Sequence, residues 1–211
     1  MNEELIEMLS GNERKRNYFH HRPVANVHEF YLSGEIKRAE EYIEWFDIIR
    51  NASKNDVITV HINSYGGDLF TAIQMMRVLG ECEGTVITSV EGACMSAATM
   101  VFLCADGFEV SNHSMFMFHN YSGGTIGKGG EMYDNIIHER KWSENLLREI
   151  YADFLTEEEV ESILNNKDIW MDGEEVIKRL ESRKEKVNEE KEKPKPSRRR
   201  RKNSSDQKKA S

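Results

Sequence analysis

A serine hydroxyl becomes a nucleophile only when a base lies within hydrogen-bond reach. Serines set among small residues and the seven histidines are therefore the first groups to weigh. Ser96 lies in Gly92-Ala93-Cys94-Met95-Ser96-Ala97-Ala98. Small neighbours let a substrate carbonyl approach the hydroxyl, and the N–H of Ala97 falls where a helix should start. The logic is that of a nucleophile elbow, although no glycine stands two places to either side of Ser96. A helix N-cap serine fits the same position, so the segment alone leaves both roles open. Among the histidines, His20, His21 and His28 fall in or just after a polar N-terminal arm. His61 sits in a β-branched run that reads as a buried strand, His113 in a polar turn, and His138 on the solvated side of a long helix. His119 differs: it ends the apolar run Met115–Phe118 just before a glycine-rich loop. A strand delivers a side chain to a site at such a place, though a strand-end histidine satisfied by a backbone carbonyl also suits it. Asp168 would complete a Ser-His-Asp order, but with 37 acidic residues in the chain spacing alone selects none.

A second chemical feature is Asn63-Ser64-Tyr65-Gly66-Gly67. The two glycines can simply permit a tight strand-to-helix turn. They can also present backbone N–H groups to an oxyanion or a phosphate beside a helix N-terminus. The other glycine cluster is not a nucleotide loop of the Walker type. Gly127-Lys128 is followed by Gly129 rather than Ser or Thr, and Ser122 stands where the leading glycine is required. Cys82, Cys94 and Cys104 match neither a disulfide framework nor a spaced zinc site. They suit a reducing cytoplasm, and no metal or organic cofactor is called for.

The elements that must carry these residues follow from periodicity. A short strand is expected near Phe30–Leu32, closed by Ser33-Gly34. Ala39, Tyr42, Ile43, Phe46 and Ile49 mark a helix from Lys37 to Asn51. Val57–Ile62 reads as a buried strand and Asn63–Gly67 as a turn, with Ala72, Ile73, Met76 and Leu79 on the next helical face. Thr85–Val90 is a further strand, after which Gly92 should turn the chain. Phe108–Val110 and Met115–Phe118 are two more short strands. A long helix is expected over Glu131–Ala152, and Thr156 with Glu159 three residues on forms a capping box. A charged helix follows Asp172-Gly173. Alternation in units of about 30 residues predicts an α/β domain with parallel strands.

Charge separates this body from its end. The chain has 211 residues and a formal net charge of −8. Residues 191–211 hold ten Lys and Arg against Glu192 and Asp206, a net of +8, which leaves −16 on the preceding 190 residues. We expect an arm at 1–22, a catalytic body at 23–187 and a disordered basic tail at 188–211. Arg198–Arg201 and Lys202 could bind a polyanion, without aromatic residues for base stacking. No apolar run is long enough to span a membrane, and no export signal is visible, so the expected location is cytoplasmic.

Four segments together carry a family resemblance. Ile62-Asn63-Ser64-Tyr65-Gly66-Gly67 resembles the Ile-Asn-Ser-Pro-Gly-Gly stretch of the proteolytic subunit of the Clp protease. Gly92–Ala98 resembles the segment around that family's active serine. Met117-Phe118-His119-Asn120, followed by Gly123-Gly124, resembles its Met-Ile-His-Gln-Pro and Gly-Gly stretch. Asn166–Met171 resembles its Arg-Asp-x-Phe-Met segment. The four occur in the family's order and cover roughly residues 28–180. The resemblance implies a Clp/crotonase-like spiral of βαβ units with a protruding handle helix. It assigns the triad to Ser96, His119 and Asp168, and the oxyanion hole to the N–H groups of Gly67 and Ala97. Substrate would lie along Gly66, Asp68, Leu69, Tyr121, Gly123 and Gly124. The activity implied is serine endopeptidase action on unfolded polypeptide, inside a homo-oligomer of one or two stacked rings fed by an ATP-dependent unfoldase. Tyr65 replaces the usual Pro, Ala97 the usual Met, and Met95 a small residue, which alters pocket shape. The usual Tyr-Gly-Leu-Ile-Asp ending is absent and the arm differs, both in regions that meet the ATPase in relatives. Alternative readings are a non-catalytic or capsid-maturation relative acting in assembly, and an acyl-CoA hydratase of the crotonase group.

Overall fold

The computed structural model describes residues 24–192. A strand β1 (Val27–Ile36) leads through a 3-10 turn (Ala39–Tyr42) to helix α1 (Ile43–Arg50). Next come β2 (Val57–Gly67), α2 (Leu69–Gly80), β3 (Thr85–Met95) and the short α3 (Ala97–Phe102). Strands β4 (Gly107–Val110) and β5 (Met115–Phe118) precede the long α4 (Gly129–Tyr151). The chain closes with α5 (Glu157–Leu164), β6 (Ile169–Asp172) and α6 (Gly173–Glu192). The arm expected at 1–22 and the basic residues 193–211 lie outside the described residues. Helix α6 runs through residue 188 to Glu192, so the tail boundary expected at 188 falls inside a helix.

The sheet runs β1-β2-β3-β5-β6, with β4 beside the first half of β3. All pairs are parallel except β5 with β6, which is antiparallel. Each parallel crossover carries a helix, which gives the βαβ spiral. Burial along β2 alternates, with Ile58, Val60 and Ile62 at 0–2% exposure. These pack with Ala72, Val78 and Leu79 of α2 and with Phe46 and Ile49 of α1 in one core. His61 lies on the opposite, half-covered face rather than in a strand buried on both sides. Its ring stacks on Tyr31 at 4.6 Å, and its Nδ1 is 3.0 Å from Glu91 Oε1.

The structure corrects the expected bounds of several elements. β1 continues past Ser33-Gly34 to Ile36, absorbing an irregularity after Gly34, whose φ is +78°. β2 and β3 run through Asn63–Gly67 and Gly92–Met95, which the sequence marks as turns. The irregularity between Ile62 and Ser64 keeps them paired, and Asn63 Oδ1 accepts the Ala93 N–H at 3.0 Å. Gly92 makes room for that amide, since a Cβ there would lie 2.7 Å from Asn63 Oδ1. The helix expected over Lys37–Asn51 is a 3-10 turn followed by α1. The capping box of α5 forms as expected, with Thr156 Oγ1 accepting from Glu159 N–H and the Glu159 carboxylate accepting from Thr156 N–H. Only Ser143, Leu147 and Tyr151 of α4 are buried, so its N-terminal half projects as a handle.

Candidate active site

The elbow is built where β3 stops. β3 and β5 pair in parallel through Met95 opposite Met117, and the Ser96 N–H extends the contact to the Met117 carbonyl at 2.8 Å. Ser96 then adopts φ 55° and ψ −130° at the N-cap of α3. Positive φ is uncommon outside glycine, so this backbone is held by its surroundings. The hydroxyl makes no capping bond. It faces His119, whose Nε2 lies 2.6 Å from Ser96 Oγ. For Nε2 to accept the serine proton, the imidazole must carry its own proton on Nδ1. Of the two roles open to Ser96, the structure has the hydroxyl turned to the histidine.

Close backbone approach explains the glycine pair. Gly66 has φ +91°, and a Cβ there would lie 2.7 Å from Ser96 Cβ and 2.8 Å from the Met95 carbonyl oxygen. Gly67, at φ +149°, packs on Ile36, whose oxygen would lie 2.3 Å from an added Cβ. The Ala97 N–H opens α3, where first-turn donors lack helical partners. Asp68 caps α2, its carboxylate accepting the Thr71 N–H at 2.7 Å.

Ser96 and His119 open into a cleft of about 570 Å³ that also takes in Gly67, Asp68, Leu69, Ala97, Tyr121, Gly123 and Gly124. Gly66 is not part of this lining. Phe70, Met100, Ser122, His138, Glu139 and Trp142 complete it. Phe70 stacks on Trp142 at 5.6 Å, so an aromatic wall joins α2 to the handle. The sequence offers one signal for this wall, a large aromatic at the exposed start of a helix three residues past Gly67.

Asp168 is not brought into contact with His119. Its side chain is exposed, and it makes no hydrogen bond to the imidazole among the described residues. Phe118 with Ile169 is the last pair of the antiparallel ladder, and His119 and Asp168 are the next residues beyond it on the two strands. Nearby, the Asn120 side-chain amide donates to Asn166 Oδ1 at 3.3 Å. Cys94 and Cys104 are not rival nucleophiles. Burial pushes the Cys104 thiol up to about 11 and the Cys94 thiol well above its ordinary range.

The Clp protease family model matches residues 16–179 of the chain. Among solved structures, a point mutant of ClpP1 from Listeria monocytogenes is similar, with a TM-score of 0.55 at 21% sequence identity. The match covers 72% of this chain and 86% of that one, and the likeness is one of fold. A comparison with curated proteins finds no match.

Proposed function

The chain belongs to the Clp protease family, and from that membership we propose that it is a serine endopeptidase cleaving unfolded or partly unfolded polypeptide. The observation that carries this reading is the 2.6 Å contact between His119 Nε2 and Ser96 Oγ at a strained elbow. Ser96 Oγ attacks the peptide carbonyl as His119 takes its proton. His119 then gives that proton to the departing amine, and water releases the acyl group by the same exchange in reverse. The N–H groups of Gly67 and Ala97 hold the oxyanion, a charge present only in the transition state and intermediate. Asp168 is the orienting carboxylate in this scheme. The strands that carry the two residues pair through Phe118 and Ile169, which puts His119 and Asp168 at the same end of one ladder. Extended substrate would lie along Gly67–Leu69 and Tyr121–Gly124 as added strands.

Oligomeric enclosure is part of the proposal. Tyr133, Ile136 and Ile137 of the handle are 67%, 51% and 49% exposed, an apolar surface suited to a second copy. An ATP-dependent unfoldase is the partner class this reading includes, and it rests on family membership alone.

The test is cleavage of casein and of a fluorogenic peptide. Ser96→Ala and His119→Ala should each lower turnover by about 10⁴-fold or more with the fold intact, and Asp168→Asn should also be severe. Equal turnover in wild type and Ser96→Ala would overturn the mechanism.

A further inference from the structure

The carbonyl of Ser96 is held from inside the protein by a short chain of hydroxyls. Thr99 donates to it twice, through its N–H at 2.9 Å and its Oγ1 at 2.6 Å. Thr99 Oγ1 also lies 2.8 Å from the hydroxyl of Tyr151. A carbonyl only accepts, so the single threonine proton goes to Ser96. The bond to Tyr151 must then run from the tyrosine O–H to Thr99 Oγ1. Thr99 and Tyr151 are both fully buried. The threonine could bond its own helix without help, as such residues often do, but Tyr151 comes from the far end of α4, 52 residues away.

Tyr151 also meets the other half of the pair. Its ring packs edge-on against Phe118 at 5.5 Å and 85°. Phe118 is fully buried and immediately precedes His119. One side chain thus braces the nucleophile's carbonyl through Thr99 and the base's strand through Phe118. The two catalytic groups come from different strands, and their 2.6 Å separation depends on how those strands sit relative to one another.

We infer that Tyr151 is a positioning residue, acting through Thr99 and Phe118 to hold Ser96 and His119 at reacting distance. This rests on the reading of Ser96 as the nucleophile. Tyr151→Phe keeps the ring and its contact with Phe118 but removes the donor to Thr99. We expect kcat on a fluorogenic peptide to fall about five- to tenfold, the factor corresponding to one buried hydrogen bond, with KM within about twofold. Thr99→Val, which loses both hydroxyl bonds, should be slower still, and Thr99→Ser should restore most of the rate. The double variant of Tyr151→Phe with Thr99→Val should be no worse than Thr99→Val alone, because both substitutions break one chain.

A fluorophosphonate supplies the second readout. Its labelling endpoint counts folded sites, and its labelling rate reports the reactivity of the serine. Positioning predicts an unchanged endpoint and a slower rate in Tyr151→Phe. A wild-type kcat in Tyr151→Phe would overturn the inference. So would a loss of kcat matched by the loss of titrated sites, or a Thr99→Ser as slow as Thr99→Val. Undiminished labelling and turnover in Ser96→Ala would instead show that the parent reading had failed.

Discussion

The backbone of Ser96, at φ 55° and ψ −130°, occupies a conformation that costs on the order of 1–3 kcal/mol and persists only where neighbours over-determine it. The neighbours are Met117 on one side, Thr99 on the other, and Gly66 pressed beneath the Cβ. Gly66 is the most sensitive of them to substitution. Gly66→Ala would drive a methyl to 2.7 Å from Ser96 Cβ and 2.8 Å from a backbone oxygen, and neither atom is the tip of a flexible side chain. We expect peptide turnover to fall by about 10²-fold or more, the scale of a displacement near 1 Å at a reacting group. Gly80, with open space around it and outside the cleft, is the control position, where alanine should be tolerated far better. Equal effects at the two sites would mean that close approach to Ser96 is not what requires glycine at 66.

Elements meet at a few polar junctions, and the best defined is Asp56, 4% exposed before β2. Its carboxylate accepts from Ser53 N–H at 2.8 Å, from Asn26 N–H at 2.7 Å and from the Asn26 side chain at 3.1 Å. The start of β1 is thereby tied to the start of β2. These donors, Ser53 first and then Asn26, hold the Asp56 carboxyl below its ordinary value of 3.8. A carboxyl depressed on folding stabilises above the unfolded pKa, and that contribution fades as pH falls through the folded value. Asp56→Asn should therefore lower Tm at neutral pH, and the gap from wild type should narrow as pH drops below about 4. Thermal melts across that range check it, and a constant gap would show that the charge is not what stabilises the junction. At the other end, Arg179 joins α6 to α5 by a two-pronged pair with Glu159 at 2.7 and 2.8 Å. That holds down the two elements flanking β6, the strand that leads out of Asp168.

For the whole molecule, the handle and the charge division make separable predictions. At 23 residues, α4 is about 35 Å long at 1.5 Å per residue, and its buried residues all lie in the second half. Ile136→Glu places a charge on the projecting half, away from the cleft lining. We expect the native mass by light scattering to fall and peptidase activity to fall with it. An unchanged mass would mean that this face makes no contact between copies. The basic residues beyond Glu192 act differently if charge is their only role. Deleting residues 193–211 should leave small-peptide cleavage unchanged while abolishing salt-sensitive retention on heparin or DNA. Loss of peptide cleavage in the deletion would instead make that segment part of the active assembly.

Local features were legible from the order of residues alone. Helical faces at α2 and α4, the α5 capping box and the strand-end setting of His119 all depend on residues a few positions apart, whose periodicity is visible without a fold. So was the pairing of residue types: a serine among small neighbours and a histidine at a strand end were legible as candidates, though not their distance. Tertiary structure decided the rest. Asn63–Gly67 and Gly92–Met95 contain residues that disfavour strands, yet neighbouring ladders and the Asn63 side chain keep them extended. That extension carries Gly66 beneath Ser96. The exposed setting of Asp168, the Phe70–Trp142 wall and the Tyr151–Thr99 bond likewise depend on how separate crossovers pack. Periodicity reports which face of an element is buried, but not which distant residue it is buried against. The physical reason is that such contacts are set by strand order and register, which one strand's pattern does not contain.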